Sequence, residues 1–146
     1  MNPDELWMRA ALDEAKKAYL ENEVPVGAVI VKNSRLIAAA HNRCRAENDE
    51  TLHAEMLAMK QAKAALGSLS DCILFVTLEP CAMCAGAAIH YRLPKLVFGA
   101  FDERCGCCGS RIDLTDHWFY HSVETYGGIL ETECTDLLKN FFKEKR

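Results

Sequence analysis

The chain has no apolar run long enough to span a membrane, no internal repeat, no low-complexity stretch and no excess of basic residues. Each absence removes a class of protein. A spanning helix needs about 20 successive apolar residues, and none are present. The opening Met1-Asn2-Pro3-Asp4-Glu5 is acidic, without the basic and apolar regions of a secretory leader, so a cytoplasmic protein with no membrane partner is expected. A net charge of −4 argues against a broad footprint on duplex nucleic acid, where Lys and Arg do the binding. The charge is uneven, however. Acidic residues crowd Asp4–Glu23 and Glu47–Glu50, while Lys139, Lys143, Lys145 and Arg146 gather at the other end, enough for a short RNA loop.

What is present suits one globular unit. The 146 residues are half apolar and about a quarter charged, which predicts a single domain over residues 1–146 with one substantial core. Eight cysteines are many for this length. A disulfide scaffold fits poorly, because the chain has apolar residues enough to fold without cross-links and cytosolic thiols stay reduced. Cys44, Cys72 and Cys134 read as small core or half-buried residues.

Local patterns give the order of elements. Asn2-Pro3-Asp4-Glu5 is a helix start, with Asn as N-cap and Pro at the first helical position, and the helix runs to about Glu21-Asn22. Val26–Val31 and Leu36–His41 flank Lys32-Asn33-Ser34 as a hairpin. A second helix is expected from His53 to about Leu66, with Thr51 as its N-cap. Cys72–Leu78 reads as a buried strand, Cys81–Tyr91 as a helix, Lys95–Gly99 and Val123–Tyr126 as strands, and Thr132–Lys143 as a closing amphipathic helix. Asp102–His121 reads as surface loops. This order predicts an α/β fold, a sheet between helices.

Two strings carry the chemistry, His53-Ala54-Glu55 and Pro80-Cys81-Ala82-Met83-Cys84. Cys-x-x-Cys at a helix start brings two sulfurs to one point, and the helix N-terminus favours the thiolates that zinc requires. Alone, the pair is equally a redox or structural motif; the upstream His-x-Glu tips it to zinc. His53, Cys81 and Cys84 then leave a fourth position for water, the mark of a catalytic site. Closure of that position by Cys105, Cys107 or Cys108 would make the site structural, in an RNA-binding or assembly protein. Two thiolates cancel the formal charge of zinc, so a neighbouring base has to take the water's proton; Glu55 is the candidate, unless it lies on a solvated helix face. His53 and Glu55 point apart on a regular helix, and share a pocket only if the helix begins around them.

This H-x-E…P-C-x-x-C arrangement resembles the signature of the zinc nucleobase deaminases. Glu23-Val24-Pro25-Val26-Gly27-Ala28-Val29, Asn42, Thr77-Leu78-Glu79-Pro80-Cys81-Ala82-Met83-Cys84-Ala85-Gly86-Ala87 and Phe98-Gly99-Ala100-Phe101-Asp102 are similar to the bacterial tRNA-specific adenosine deaminases, from the first helix to Phe141-Phe142. The resemblance implies a three-layer α/β/α cytidine-deaminase-like fold with a mixed sheet of about five strands. It also implies one zinc per subunit, a homodimer, and conversion of the wobble adenosine (position 34) to inosine in the anticodon loop of a tRNA for arginine. Position by position, it implies that Asn42 hydrogen-bonds the flipped base and that Val26 and the backbone near Ala54 line its pocket. Asp102 would contact the anticodon backbone, and Phe141 and Phe142 would lie near anticodon nucleotides. The loop Arg104-Cys105-Gly106-Cys107-Cys108-Gly109 departs from the family's usual Gly, Ala and Lys. Deamination of a free base or nucleoside (guanine, cytosine or cytidine) is the alternative reading.

Overall fold

The computed structural model describes residues 2–145, so Arg146 of the basic edge lies outside the described residues. Nine elements follow in order: α1 (Pro3–Leu20), β1 (Gly27–Lys32), β2 (Arg35–His41), α2 (Ala54–Leu66), β3 (Ile73–Leu78), α3 (Ala82–His90), β4 (Lys95–Ala100), β5 (Glu124–Tyr126) and α4 (Glu131–Glu144). Asn2 caps α1 by accepting the Glu5 N–H at 2.9 Å, with Pro3 behind it. The β1–β2 hairpin turns on Asn33 and Ser34, whose φ of 51° and 60° are the pair of left-handed conformations that a twisted two-residue hairpin needs.

The strands form one mixed sheet in the order β2-β1-β3-β4-β5. β1 is antiparallel to β2 and β3, whereas β3, β4 and β5 run parallel. Alternation along the strands divides the core. Val29, Val31, Phe75 and Val97 face α1 and α4, meeting Met8, Ala11, Leu12 and Cys134. Ala28, Ile30, Leu74, Val76, Leu96 and Phe98 face α2 and α3, meeting Ala58, Met59, Ala62, Ala85 and Ile89. Both faces are covered, which gives three layers and explains why the central strands read as continuous apolar runs. Cys44 is half-buried and Cys72 and Cys134 are buried, all as free thiols.

The register gathers the site at one edge. Gly27 pairs with His41, Ala28 with Val76, and Leu78 with Ala100. The start of β1 and the ends of β2, β3 and β4 therefore converge, the position where open α/β sheets hold ligands. α1 lies hard against this end. A Cβ on Gly27 would stand 2.0 Å from the Ala11 carbonyl oxygen and 2.5 Å from the Ala15 nitrogen. Backbone cannot yield as a side chain does, so Gly27→Ala pushes α1 off the sheet. We expect a loss of about 2–3 kcal/mol, the overpacking range. It should appear in urea titration as a lower midpoint at unchanged slope.

Candidate active site

Two helix N-termini meet over the sheet edge. His53 is the N-cap of α2 and Cys81 the N-cap of α3, both with extended backbone. The sequence expectation of Thr51 as the cap is corrected here. Thr51 instead binds Asp49 through both its N–H and its hydroxyl, and the helix starts three residues later, at Ala54. The free N–H of Ala54 is taken by Asn42 Oδ1 at 2.8 Å, a capping bond from a residue outside the helix. With the helix beginning at Ala54, His53 and Glu55 fall on either side of its first turn, as the shared-pocket condition requires.

His53 Nδ1 lies 3.6 Å from Cys81 Sγ and 3.6 Å from Cys84 Sγ. The three ligand atoms all lie within 4.8 Å of one another. Zinc bonds of about 2.0 Å to nitrogen and 2.3 Å to sulfur at a tetrahedral angle span roughly 3.6 Å between donors, so this set fits zinc without rearrangement. Cys81 is the more easily ionised. Hydrogen bonds from Cys84 and then His53 hold its thiol down to about 3, whereas the same contact and burial push Cys84 up. Among the described residues, no sulfur of Cys105, Cys107 or Cys108 joins the group. Cys107 and Cys108 are buried in the core beside α2 and α3, while Cys105 is exposed.

Glu55 is 4 % exposed, and burial pushes its carboxyl up to about 7, against the opposing pull of its own backbone N–H and His53. A carboxyl in that range both takes and gives a proton near neutrality. The solvated-face alternative does not hold for this side chain. It lines a cavity of about 330 Å³ together with Val26, Asn42, His53, Cys81 and Asp102. Thus six of the residues singled out from the sequence share one cavity, and Cys84 lies beneath it as the third donor. Ala54 is buried and touches the cavity wall through its bond to Asn42. The Asp102 carboxylate accepts the N–H groups of Arg104 and Cys105, opening the following loop with an Asx turn.

The two C-terminal aromatics separate. Phe141 is buried edge-on between Tyr19 and Phe142 and reaches neither cavity nor groove. Phe142 is half exposed and lines a groove with Phe101, Leu138 and Arg104. That groove shares Val24, Leu78, Asp102 and Cys105 with the cavity. It continues into a second hollow that adds Lys139, Lys143 and Lys145. An apolar, then basic track therefore leads from the cavity to α4. His41 bridges Glu14 and Glu21, His90 bonds Tyr120 and His121 bonds the Leu93 carbonyl; all lie outside the cavity.

Two wall residues carried no role in the sequence reading. Glu23 is 1 % exposed and accepts the Arg45 and Ala46 N–H groups, at 3.0 and 2.7 Å. Glu79 is 2 % exposed and grips the loop after Asp102. The available signal was a glutamate one or two positions before a proline, Glu23-Val24-Pro25 and Glu79-Pro80.

A sheet between helix pairs, with a His and two Cys at paired helix N-termini, is the frame of a zinc-binding deaminase. The family model of the cytidine and deoxycytidylate deaminase zinc-binding region matches residues 1–100, and the chain belongs to that family. A tRNA-specific adenosine deaminase of Bacillus subtilis (strain 168) is 48 % identical over 149 aligned positions, covering 100 % of this chain and 92 % of that protein. A solved structure from a study of A-to-I editing by tRNA:A34 deaminases superposes with a TM-score of 0.84 at 38 % identity, over 91 % of this chain and 99 % of that one. A guanine deaminase from Nitrosomonas europaea gives 0.81 at 25 % identity, over 94 % and 83 %.

Proposed function

We propose that this chain, one deaminase domain over residues 1–146, hydrolyses the wobble adenosine (position 34) of a tRNA anticodon loop to inosine, releasing ammonia. The carrying observation is the pairing of a zinc-type donor set and buried Glu55 in a cavity that opens onto an aromatic and basic track. A free base needs no such track, whereas a loop nucleotide brings phosphates and neighbouring bases with it. Relatives 48 % and 38 % identical to this chain bear that activity in their names. No helix of the described residues is long and apolar enough to cross a membrane. Cytoplasmic location, homodimer assembly and a tRNA for arginine complete the reading, on the strength of the family resemblance.

His53, Cys81 and Cys84 would hold zinc, which when bound polarises a water toward attack on the base. Glu55 takes a proton from the attacking water and delivers it to the adjacent ring nitrogen. It then carries a second proton to the departing amine. Asn42 spends its Oδ1 on Ala54, so its NH2 is what remains to donate to the base. Val26 packs against the ring, and Asp102 and Phe142 meet the flanking nucleotides. Loop bases are already unstacked, so turning one into the cavity costs less than extracting it from a duplex.

The direct test is incubation of the zinc-loaded protein with an anticodon stem-loop and, in parallel, with free adenosine, guanine and cytidine. Inosine at position 34 of the stem-loop is expected, with little turnover of the small substrates. Guanine or cytidine turnover with an untouched stem-loop would overturn the proposal. Asn42→Asp separates the two jobs of that side chain, since it keeps the capping oxygen and loses the donor. We expect kcat/KM to fall by about 10²-fold, the cost of leaving a buried polar partner unpaired, with melting temperature close to that of the parent.

A further inference from the structure

The loop after β4 departs from the family pattern and has no regular helix or strand, yet three of its backbone N–H groups converge on one carboxylate. The Glu79 carboxylate accepts the Asp102 N–H at 3.0 Å on one oxygen, and the Cys108 and Ser110 N–H groups at 3.1 and 3.0 Å on the other. The Ser110 hydroxyl donates as well. Residues 102–110 thus wrap around one buried carboxylate that lies two positions before a zinc ligand. Gly106 completes the wrap. A Cβ there would stand 2.4 Å from Glu79 Cδ and 2.5 Å from the Asp102 carbonyl oxygen. The glycine is required by space, because its backbone is not in the left-handed region.

We propose that Glu79 is the positioning residue of the substrate-facing loop: it fixes Asp102, Arg104 and Cys105 at the mouth of the cavity in register with the metal-ligating helix α3. The proposal rests on the RNA-deaminase reading above. Its physical basis is the count of donors. Four hydrogen-bond donors in a loop without helix or extended sheet need an acceptor, and a charge-assisted one orders them at least cost. In return the loop is tied to the Glu79-Pro80-Cys81 segment, whose Pro80 carbonyl accepts the Cys107 N–H at 2.8 Å. Recognition of RNA and placement of the catalytic frame therefore share one anchor.

The experiment compares Glu79→Gln, Gly106→Ala and the double variant, measuring zinc content, melting temperature, kcat and KM on the stem-loop. Gln keeps the volume but turns an NH2 toward backbone donors; the added Cβ of Gly106→Ala displaces the same loop without touching the acid. Each single variant is expected to raise KM about tenfold, with the loss falling on KM rather than kcat and zinc still bound. The double variant should be no worse than either single, since both break one contact. A lowered melting temperature with unchanged KM would make Glu79 merely structural and overturn the proposal. So would zinc loss in Glu79→Gln, which would place its action on Cys81. If the parent enzyme itself forms no inosine, it is the functional reading that fails, not this one.

Discussion

Replacing Glu55 by glutamine is expected to leave zinc bound and to reduce inosine formation by about 10⁴-fold. The side chain is buried in the cavity wall beside the donor set, and glutamine preserves its shape. What disappears is the ability to carry a proton. In the proposed reaction that ability is used at the attacking water, at the ring nitrogen and at the leaving amine. One positioned acid or base contributes about 10²–10⁴-fold, and a group used at successive transfers belongs at the upper end. Burial opposes the ionised carboxylate, so the amide relieves that cost and the melting temperature should hold or rise. Single-turnover assays on the stem-loop together with zinc analysis decide the matter. Activity within tenfold of the parent would remove Glu55 from the reaction.

The second large effect comes from the donors. Cys84→Ala and His53→Ala each remove one of the three proposed ligand atoms, and zinc stoichiometry should fall from one per chain to near zero at submicromolar metal. Disturbing even a neighbour of a ligand costs about 10–100-fold in affinity, so loss of a ligand itself costs more. Activity goes with the metal, and a strong chelator should do the same to the parent. The fold should survive. Unlike a zinc finger, whose folding energy is the metal's, this chain has apolar layers on both faces of a five-stranded sheet. Far-ultraviolet circular dichroism of Cys84→Ala should match the parent. Retained zinc at full stoichiometry in both variants would refute the donor assignment.

Features decided by a few adjacent residues were legible in the sequence. The Asn2-Pro3 start of α1, the Asn33-Ser34 turn and the sulfur pair at the opening of α3 each follow from local chemistry, and the structure has them where the pattern puts them. Features decided by a distant partner were not. Thr51 was a sound cap by residue type, but Asn42, twelve positions away, reaches the first free N–H instead. Phe141 and Phe142 are indistinguishable in the sequence, and only the contact of α4 with Tyr19 buries one and leaves the other at the groove. Glu23 and Glu79 were hidden for the same reason, since their donors come from loops that carry no periodic signal.

The Asn42–Ala54 bond has a bearing on attempts to retarget such an enzyme. The amide that would read the base also holds the first turn of the helix at which His53 and Glu55 stand. Swapping it for a side chain without that acceptor oxygen would loosen the helix start along with the selectivity filter. Engineering that begins at Val26 or Cys44, which touch the same chamber without bearing that helix, starts from safer ground.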